Sequence, residues 1–427
     1  MSSPHDLEPT AGLPARAAAL DLLTTALSRR AGLDEGLNHP ALAALPPRDR
    51  AFARALVMAT LRHLGPIDRA LDLRLRKPPP DRVRNILRIG AAQALVLATP
   101  AHAAVATSVE LAAKGPFKGL VNAVLRALLR EPPALDDPQA LAPPWLYARW
   151  RAAYGAADAD ALARLIAVEP ALDLTLRAPE ASAELAEALE AEILPGGTLR
   201  TARRGELSTW PGFAEGAWWV QDAAAAVPAR LLRAGAGLSV LDLCAAPGGK
   251  TLQLAATGAE VVALDRSAAR LARVSENLAR MGLSAEVVAA DAQAWPDARQ
   301  FDAVLLDAPC SATGTFRRHP DVLWAAKPGD VASLAAVQGR LLDAAAPRVK
   351  PGGLLVFCVC SLEPEEGEAQ VAAFLGRAQG FAIEPVGPGE GGAPAASLRP
   401  DGTLRMLPHH REGGQDGFYV ARLRRAS

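Results

Sequence analysis

Ser239-Val240-Leu241-Asp242-Leu243-Cys244-Ala245-Ala246-Pro247-Gly248-Gly249-Lys250-Thr251 decides the fold of this chain. An apolar run meets a carboxylate and a thiol, turns through Pro and two glycines, and resumes with residues that suit a helix. Glycines at a strand-to-helix turn let a ligand approach the backbone amides of the helix N-terminus. Two phosphate-binding patterns fail on the letters. A Walker A loop needs Gly five positions before Gly249, where Cys244 stands, and a dinucleotide loop needs Gly-x-Gly-x-x-Gly, where only Gly248-Gly249 is present. A nucleoside ligand without a pyrophosphate remains.

The rhythm around this stretch is strand–helix–strand. Apolar runs at Ser239–Leu243, Glu260–Leu264, Glu286–Ala289, Ala303–Leu306 and Leu354–Cys358 alternate with helical segments at Gly249–Ala255, Ser267–Arg280, Val331–Ala346 and Glu365–Arg377. Such alternation predicts an α/β domain with a parallel, doubly wound sheet and ligands at the carboxyl ends of its strands. Asp265 ends the second strand, 17 residues after Gly248, where a carboxylate can accept both hydroxyls of a ribose. Asp291 is placed for an adenine amine at the end of the third strand, and Asp307 ends the fourth. This row of acids suits a cationic donor such as S-adenosylmethionine better than a phosphorylated one.

Upstream the pattern is helical. Apolar residues recur at three- and four-residue spacing in Ala17–Leu27, Ala51–Leu64, Val83–Ala98, Val105–Ala113 and Leu120–Leu129, broken by Pro46-Pro47, Gly65-Pro66, Pro78-Pro79-Pro80, Pro100 and Gly115-Pro116. This predicts an all-α bundle over residues 1–135. A Pro-rich connector follows. A small α+β module is expected over 140–225, with helices at Trp145–Ala153, Ala159–Ile166 and Ser182–Ala191 and a strand at Leu172–Arg177; the α/β domain then fills 226–427. The chain is neutral overall, but residues 1–130 hold 18 Lys and Arg against 10 Asp and Glu, a net +8. A basic module joined to an acidic one is compatible with a polyanion held by the first and chemistry done in the second. Arg317-Arg318-His319 is a further candidate grip on phosphates, whereas Trp210, Trp218 and Trp219 are expected in packing. The N-terminal segment has no secretory apolar core, and no apolar run is long enough to span a bilayer. The expected location is the reducing cytoplasm, with no membrane association and no obligate protein partner.

All four cysteines, Cys244, Cys310, Cys358 and Cys360, fall in the second half beside apolar runs. So few thiols, placed beside Asp307 and Pro309, point to thiolate chemistry rather than disulfide stapling. A zinc site is the rival at Cys358-x-Cys360, but no second pair exists, so no metal is expected. Cys358 and Cys244 are expected as buried small hydrophobes.

Several runs carry a family resemblance: Asp242 through Lys250, Asp265, Asp291, Asp307-Ala308-Pro309-Cys310-Ser311-Ala312-Thr313-Gly314, and Cys360-Ser361-Leu362-Glu363-Pro364-Glu365-Glu366. They resemble the successive motifs of the Sun-domain RNA cytosine-C5 methyltransferases. Asp49-Arg50-Ala51, His102-Ala103-Ala104-Val105 and Gly119 through Arg126 are similar to the NusB-like RNA-binding module that precedes this domain in the bacterial 16S ribosomal RNA enzymes. Gln221-Asp222, Leu407-Pro408-His409 and Asp416-Gly417-Phe418 also fit. The resemblance implies a Rossmann-like class I methyltransferase domain, S-adenosylmethionine held by Cys244 through Lys250 with Asp265, Asp291 and Asp307, and an RNA substrate, 16S rRNA in a free or partly assembled state.

It also implies a thiolate that adds to C6 of a cytosine and makes C5 nucleophilic, with a carboxylate, here Asp307, at the base edge. In DNA enzymes of this chemistry the Pro-Cys thiol attacks, which nominates Cys310. The RNA family uses the Cys of a Thr-Cys-Ser run, which corresponds to Cys360, and gives the Pro-Cys thiol a role in release. The resemblance favours Cys360 as nucleophile and Cys310 as release assistant. Val359 replaces the usual Thr, and Ala312 replaces an expected Gly. Alternatives are another RNA target such as a tRNA, or a non-catalytic RNA-binding or antitermination-like factor.

Overall fold

The structure is a computed structural model that describes residues 12–28, 33, 40–113 and 115–427. It divides into two compact units. The first runs to Glu169 and also includes Phe316–Ala326; the second comprises Pro170–Thr315 and Lys327–Ser427.

The first unit is helical, with its main helices at Leu13–Ser28, Pro47–Arg62, Leu64–Asp72, Asp81–Leu95, Ala101–Leu111, Lys118–Arg130, Pro144–Tyr154 and Ala156–Ile166. The prolines expected as stops also start helices. Pro46, Pro80 and Pro100 occupy N-cap positions and Pro47 the first turn, where a missing N–H costs no intrahelical bond. For the same reason Gly65-Pro66 lies in the first turn of a helix, Leu64–Asp72, that the spacing did not predict. Leu20, Leu23, Leu56, Leu87, Ile89, Leu125 and Leu128 meet in the core. Gly90 permits a close helix crossing, since a Cβ there would lie 2.6 Å from Ser108 Oγ and 2.7 Å from Leu125 Cδ1.

Residues 316–326 are built into this unit. Phe316 packs on Trp150 with ring centroids 5.7 Å apart, and Trp324 Nε1 donates to the Leu61 carbonyl at 3.0 Å. Arg62 donates to the carbonyls of Ile166, Val168 and Arg317; its burial pulls the guanidinium down to about 10, with Glu169 opposing the drop. Arg317 is only 1% exposed. The expected phosphate grip at Arg317 is therefore wrong, because tertiary packing takes this side chain out of reach of a surface ligand.

The second unit begins with a four-stranded antiparallel sheet of β1 (Leu172–Leu176), β2 (Ala191–Ile193), β3 (Leu199–Thr201) and β4 (Trp218–Val220), in the order β2-β3-β1-β4. The helices at Pro144–Tyr154 and Ala156–Ile166, grouped by the sequence with these strands, cluster instead with the first unit. Trp210 and Trp218 lie in the small core beside this sheet, and Trp219 joins the core of the larger one.

The larger sheet contains β5 (Ser239–Leu243), β6 (Glu260–Asp265), β7 (Glu286–Ala289), β8 (Phe301–Asp307), β9 (Val349–Val359), β10 (Phe381–Ile383), β11 (Leu404–Met406) and β12 (Phe418–Arg425). Its path is β10-β12-β9-β8-β5-β6-β7, with β11 paired to β12. The pairs among β5 to β9 are parallel as expected, but β10, β11 and β12 are antiparallel, so the sheet is mixed rather than wholly parallel. Side chains alternate between two cores. Val240, Ala303, Leu305, Val356 and Cys358 enter one; Leu241, Leu243, Val304, Leu306, Leu355 and Phe357 enter the other. The chain order reverses between β8 and β5, which creates a crevice at the carboxyl ends of these strands.

Asp222 caps the helix Ala223–Leu231 by accepting from the Ala224 N–H at 2.9 Å, and the same Oδ1 accepts from the Asp416 N–H at 2.9 Å. Replacing Asp222 with Ala should cost about 1–3 kcal/mol, because two buried N–H groups lose their acceptor. Urea unfolding should show a lower midpoint with an unchanged slope.

Candidate methyl-transfer site

The ends of β5, β6, β7, β8 and β9 and the segments that follow them carry the site residues. In the first such segment Cys244 and Gly248 adopt left-handed backbone, with φ of 62° and 106°, and the helix Gly249–Ala256 starts directly after the turn. Asp242 is fully buried; one oxygen accepts from Thr251 Oγ1 at 2.6 Å, and the other has no protein partner. Burial pushes its carboxyl up to about 7, with Thr251 opposing the rise and Asp307 adding to it. Burial likewise raises the Cys244 thiol to about 12, helped by Asp307 and Asp265. Cys244 is half-buried rather than fully enclosed.

Asp265 ends β6 and is 3% exposed. It accepts from the Ala246 and Ser267 N–H groups at 3.2 and 2.9 Å, which fixes its plane and leaves acceptor capacity for hydroxyls. Asp291 stands two residues beyond β7, not at its end, and accepts from the Gln293 N–H at 2.9 Å. These residues fit a nucleoside that bears positive charge. The glycine turn admits a ligand to backbone, one oxygen of the buried Asp242 carboxylate has no hydrogen-bond partner, and Asp242, Asp265 and Asp307 gather acids at the crevice.

Asp307 ends β8. Its Oδ2 meets Lys250 Nζ at 2.7 Å, and its Oδ1 accepts from Cys358 Sγ at 3.3 Å. Burial would lower the Lys250 ammonium, but Asp307 outweighs it and the net shift is upward, so the lysine stays charged. Lys250 also lies 5.2 Å from the Phe418 ring centroid. The contact from Cys358 was not foreseen. That residue is buried as expected, but it also touches Asp307, because residues 358 and 307 are register partners on adjacent parallel strands.

The loops after β8 and β9 bring the two remaining thiols together. Cys310 and Cys360, both reduced and half-buried, have their sulfurs 3.5 Å apart. The Gly314 N–H donates to the Cys360 carbonyl at 3.0 Å, and the Gly417 N–H donates to the Gly314 carbonyl at 2.8 Å. A Cβ on Gly314 would lie 2.1 Å from the Gly417 oxygen, so only glycine fits. This explains why Gly314 and the Asp416-Gly417-Phe418 run belong to one site. Ala312 sits at φ 57°, the left-handed conformation for which Gly was expected. The Cys310 thiol is pushed well up, first by its hydrogen bond to Cys360, then by burial and by the charges of Cys360 and Glu366. Among the described residues no group of three His, Cys, Asp or Glu is arranged to hold a metal.

The comparisons with known proteins agree with this geometry. The family model for 16S rRNA methyltransferase RsmB/F matches residues 229–424, and that for the NusB family matches residues 13–130. The ribosomal RNA small subunit methyltransferase B of Pseudomonas syringae pv. tomato is 37% identical over 434 residues, covering 96% of each chain. This chain belongs to the 16S rRNA methyltransferase RsmB/F family. The corresponding protein of Erwinia tasmaniensis is 38% identical, covering 88% of this chain and 90% of its own. The crystal structure of PH0851 covers 99% of each chain with a TM-score of 0.78 at 23% identity. NSun6 from Pyrococcus horikoshii with SFG covers 67% of this chain and 98% of its own, at 0.57 and 21%; these two likenesses show the fold. The protein is an RNA methyltransferase that uses S-adenosylmethionine.

Two outcomes follow from the site's chemistry. Gly314→Ala should separate the Cys310 and Cys360 loops and lower methyl transfer by about 100-fold, a loss typical of misplacing reacting groups by an ångström, as read from single-turnover rates. Because the folded protein holds the Asp242 proton more tightly than the unfolded chain, stability should fall between about pH 4 and 7, with a slope of at most about 1.4 kcal/mol per pH unit from this group. Asp242→Asn should remove that slope in urea unfolding at successive pH values.

Proposed function

We propose that the protein methylates carbon 5 of a cytosine in 16S rRNA through a transient bond between the Cys360 sulfur and ring carbon 6. The observation that carries this is the pairing of two free thiols at 3.5 Å beside the Asp307–Lys250 pair. A protein that only binds RNA needs neither. Bound S-adenosylmethionine supplies an electrophilic methyl group; Asp265 would hold its ribose, Asp291 its adenine amine, and the turn from Cys244 to Lys250 its remaining length.

The chain's own groups divide the remaining work. Cys360 adds to C6 and raises electron density at C5. Asp307, oriented by Lys250 and Cys358, takes the base edge, where it can hold the N3 proton and the exocyclic amine. Cys310 keeps its proton while Cys360 is free: its hydrogen bond to Cys360 holds it first, then burial and the charges of Cys360 and Glu366. Once Cys360 is bonded to carbon, its two influences vanish while burial and the Glu366 charge remain, so Cys310 holds its proton less tightly and can pass it to solvent. It then stands as a base beside C5. A base can reach the site only when splayed from its stack, which favours free or partly assembled rRNA as substrate. No helix among the described residues is long and apolar enough to cross a membrane, and free thiols suit a reducing cytoplasm.

The test is labelled methyl transfer from S-adenosylmethionine to unmodified 16S rRNA and to tRNA, with denaturing gels for covalent species. Cys360→Ala should be inactive and form no adduct. Cys310→Ala should accumulate a protein–RNA species that survives denaturation. Incorporation should be confined to the 16S transcript. Turnover by Cys360→Ala would reverse the roles of the thiols, and labelling of tRNA alone would overturn the substrate.

A further inference from the structure

Glu366 is a fully buried carboxylate that the reaction scheme leaves unused. Its Oε1 accepts from the Ser311 backbone N–H at 2.9 Å and from Gln338 Nε2 at 3.2 Å. Its Oε2 accepts from Ser311 Oγ and Ser361 Oγ, each at 2.5 Å. Gln338 Nε2 also donates to the Pro309 carbonyl at 3.0 Å. Four donors fill the four lone-pair directions of an acceptor-only group, and bonds to an ionised acceptor are the strong ones. Ser311 directly follows Cys310, and Ser361 directly follows Cys360. Each reacting sulfur is thus one residue from a group that Glu366 holds.

We propose that Glu366 is a positioning residue that fastens the Cys310 loop to the Cys360 loop, and that it governs release of the RNA more than attack on it. The proposal rests on the two-thiol scheme above. Attack requires one sulfur aligned with the ring. Release requires both. The C5–H bond breaks and its electron pair forms the C5–C6 double bond; the C6–S bond breaks and its pair returns to Cys360 as thiolate; the proton passes to the Cys310 thiolate, giving the thiol. A small shift of one loop against the other therefore spares the first step and slows the second. The charge of Glu366 acts in the opposite direction, since it helps hold Cys310 protonated. Removing only that charge would ease release, so a slower release reports positioning.

Glu366→Gln keeps the volume but turns half of the acceptor into a donor. It should lower steady-state kcat by about tenfold or more with KM for RNA within about twofold, while a denaturation-resistant protein–RNA species accumulates above the wild-type level. Ser311→Ala, which removes one of the four donors, should move both readouts in the same direction by less. Wild-type turnover in Glu366→Gln would overturn the proposal. So would a parallel fall of adduct, turnover and melting temperature, which would leave only a scaffold role. Cys310→Ala and Cys360→Ala are run alongside: if they fail to behave as assigned, the two-thiol scheme falls; if they behave and Glu366→Gln does not, only this proposal falls.

Discussion

The site depends on holding two loops from different strands at thiol-to-thiol distance. β8 and β9 are parallel neighbours, so the segments that leave them emerge side by side at one end of the sheet. Adjacency alone does not set a sulfur–sulfur separation of 3.5 Å. The backbone bond from Gly314 to the Cys360 carbonyl sets it, together with the contact between Gly314 and Gly417 and the buried carboxylate of Glu366. Arg405 adds a further tie. It donates to the Ser361 carbonyl at 2.5 Å, pairs with Glu368, and lies over the Tyr419 ring at 5.1 Å. Polar groups this deeply buried are costly unless satisfied, and once satisfied they select one arrangement. The reactive residues are therefore held by hydrogen bonds and not by apolar packing alone.

A second constraint is electrostatic. Asp242, Asp265 and Asp307 stand at or next to the carboxyl ends of three neighbouring strands, with Lys250 held between the half-buried Asp307 and the buried Phe418 ring. Burial first, and Asp307 and Asp265 after it, raise the proton affinity of Cys244 and of Asp242. A cleft of this sign disfavours phosphate and favours a sulfonium. The switch point of the sheet and the charge of its acids thus select the same donor by independent routes.

Much of this was legible in the letters. The runs at 239–243, 260–264, 303–306 and 354–358 read as core strands because both faces of a central parallel strand are buried. The glycine turn, Asp265, Asp307, Cys310 and Cys360 were placed correctly at the carboxyl ends. What escaped depends on contacts distant in sequence. β12, where no strand was expected, alternates apolar residues with Arg422 and Arg424, whose charges meet Glu390 and Glu384 only in the fold. The helix Ala223–Leu231 hides behind Pro228. Arg317 looks like a surface cation in sequence and is enclosed in the fold. Glu366 appears in the sequence as one acid in an acidic run; its place under both cysteine loops is visible only when Ser311, Ser361 and Gln338 converge on it.

The central claim is that the Cys360 sulfur bonds to the cytosine ring. Its most direct measurement is mass spectrometry of proteolysed protein after reaction with RNA carrying 5-fluorocytidine, whose C5–F bond blocks the proton loss that release requires. Cys310 and Cys360 fall on different tryptic peptides, since Arg317, Arg318 and Lys327 lie between them. A nucleotide mass on the peptide containing Cys360 is the predicted result. The same mass on the peptide containing Cys310, or on neither, would contradict the account.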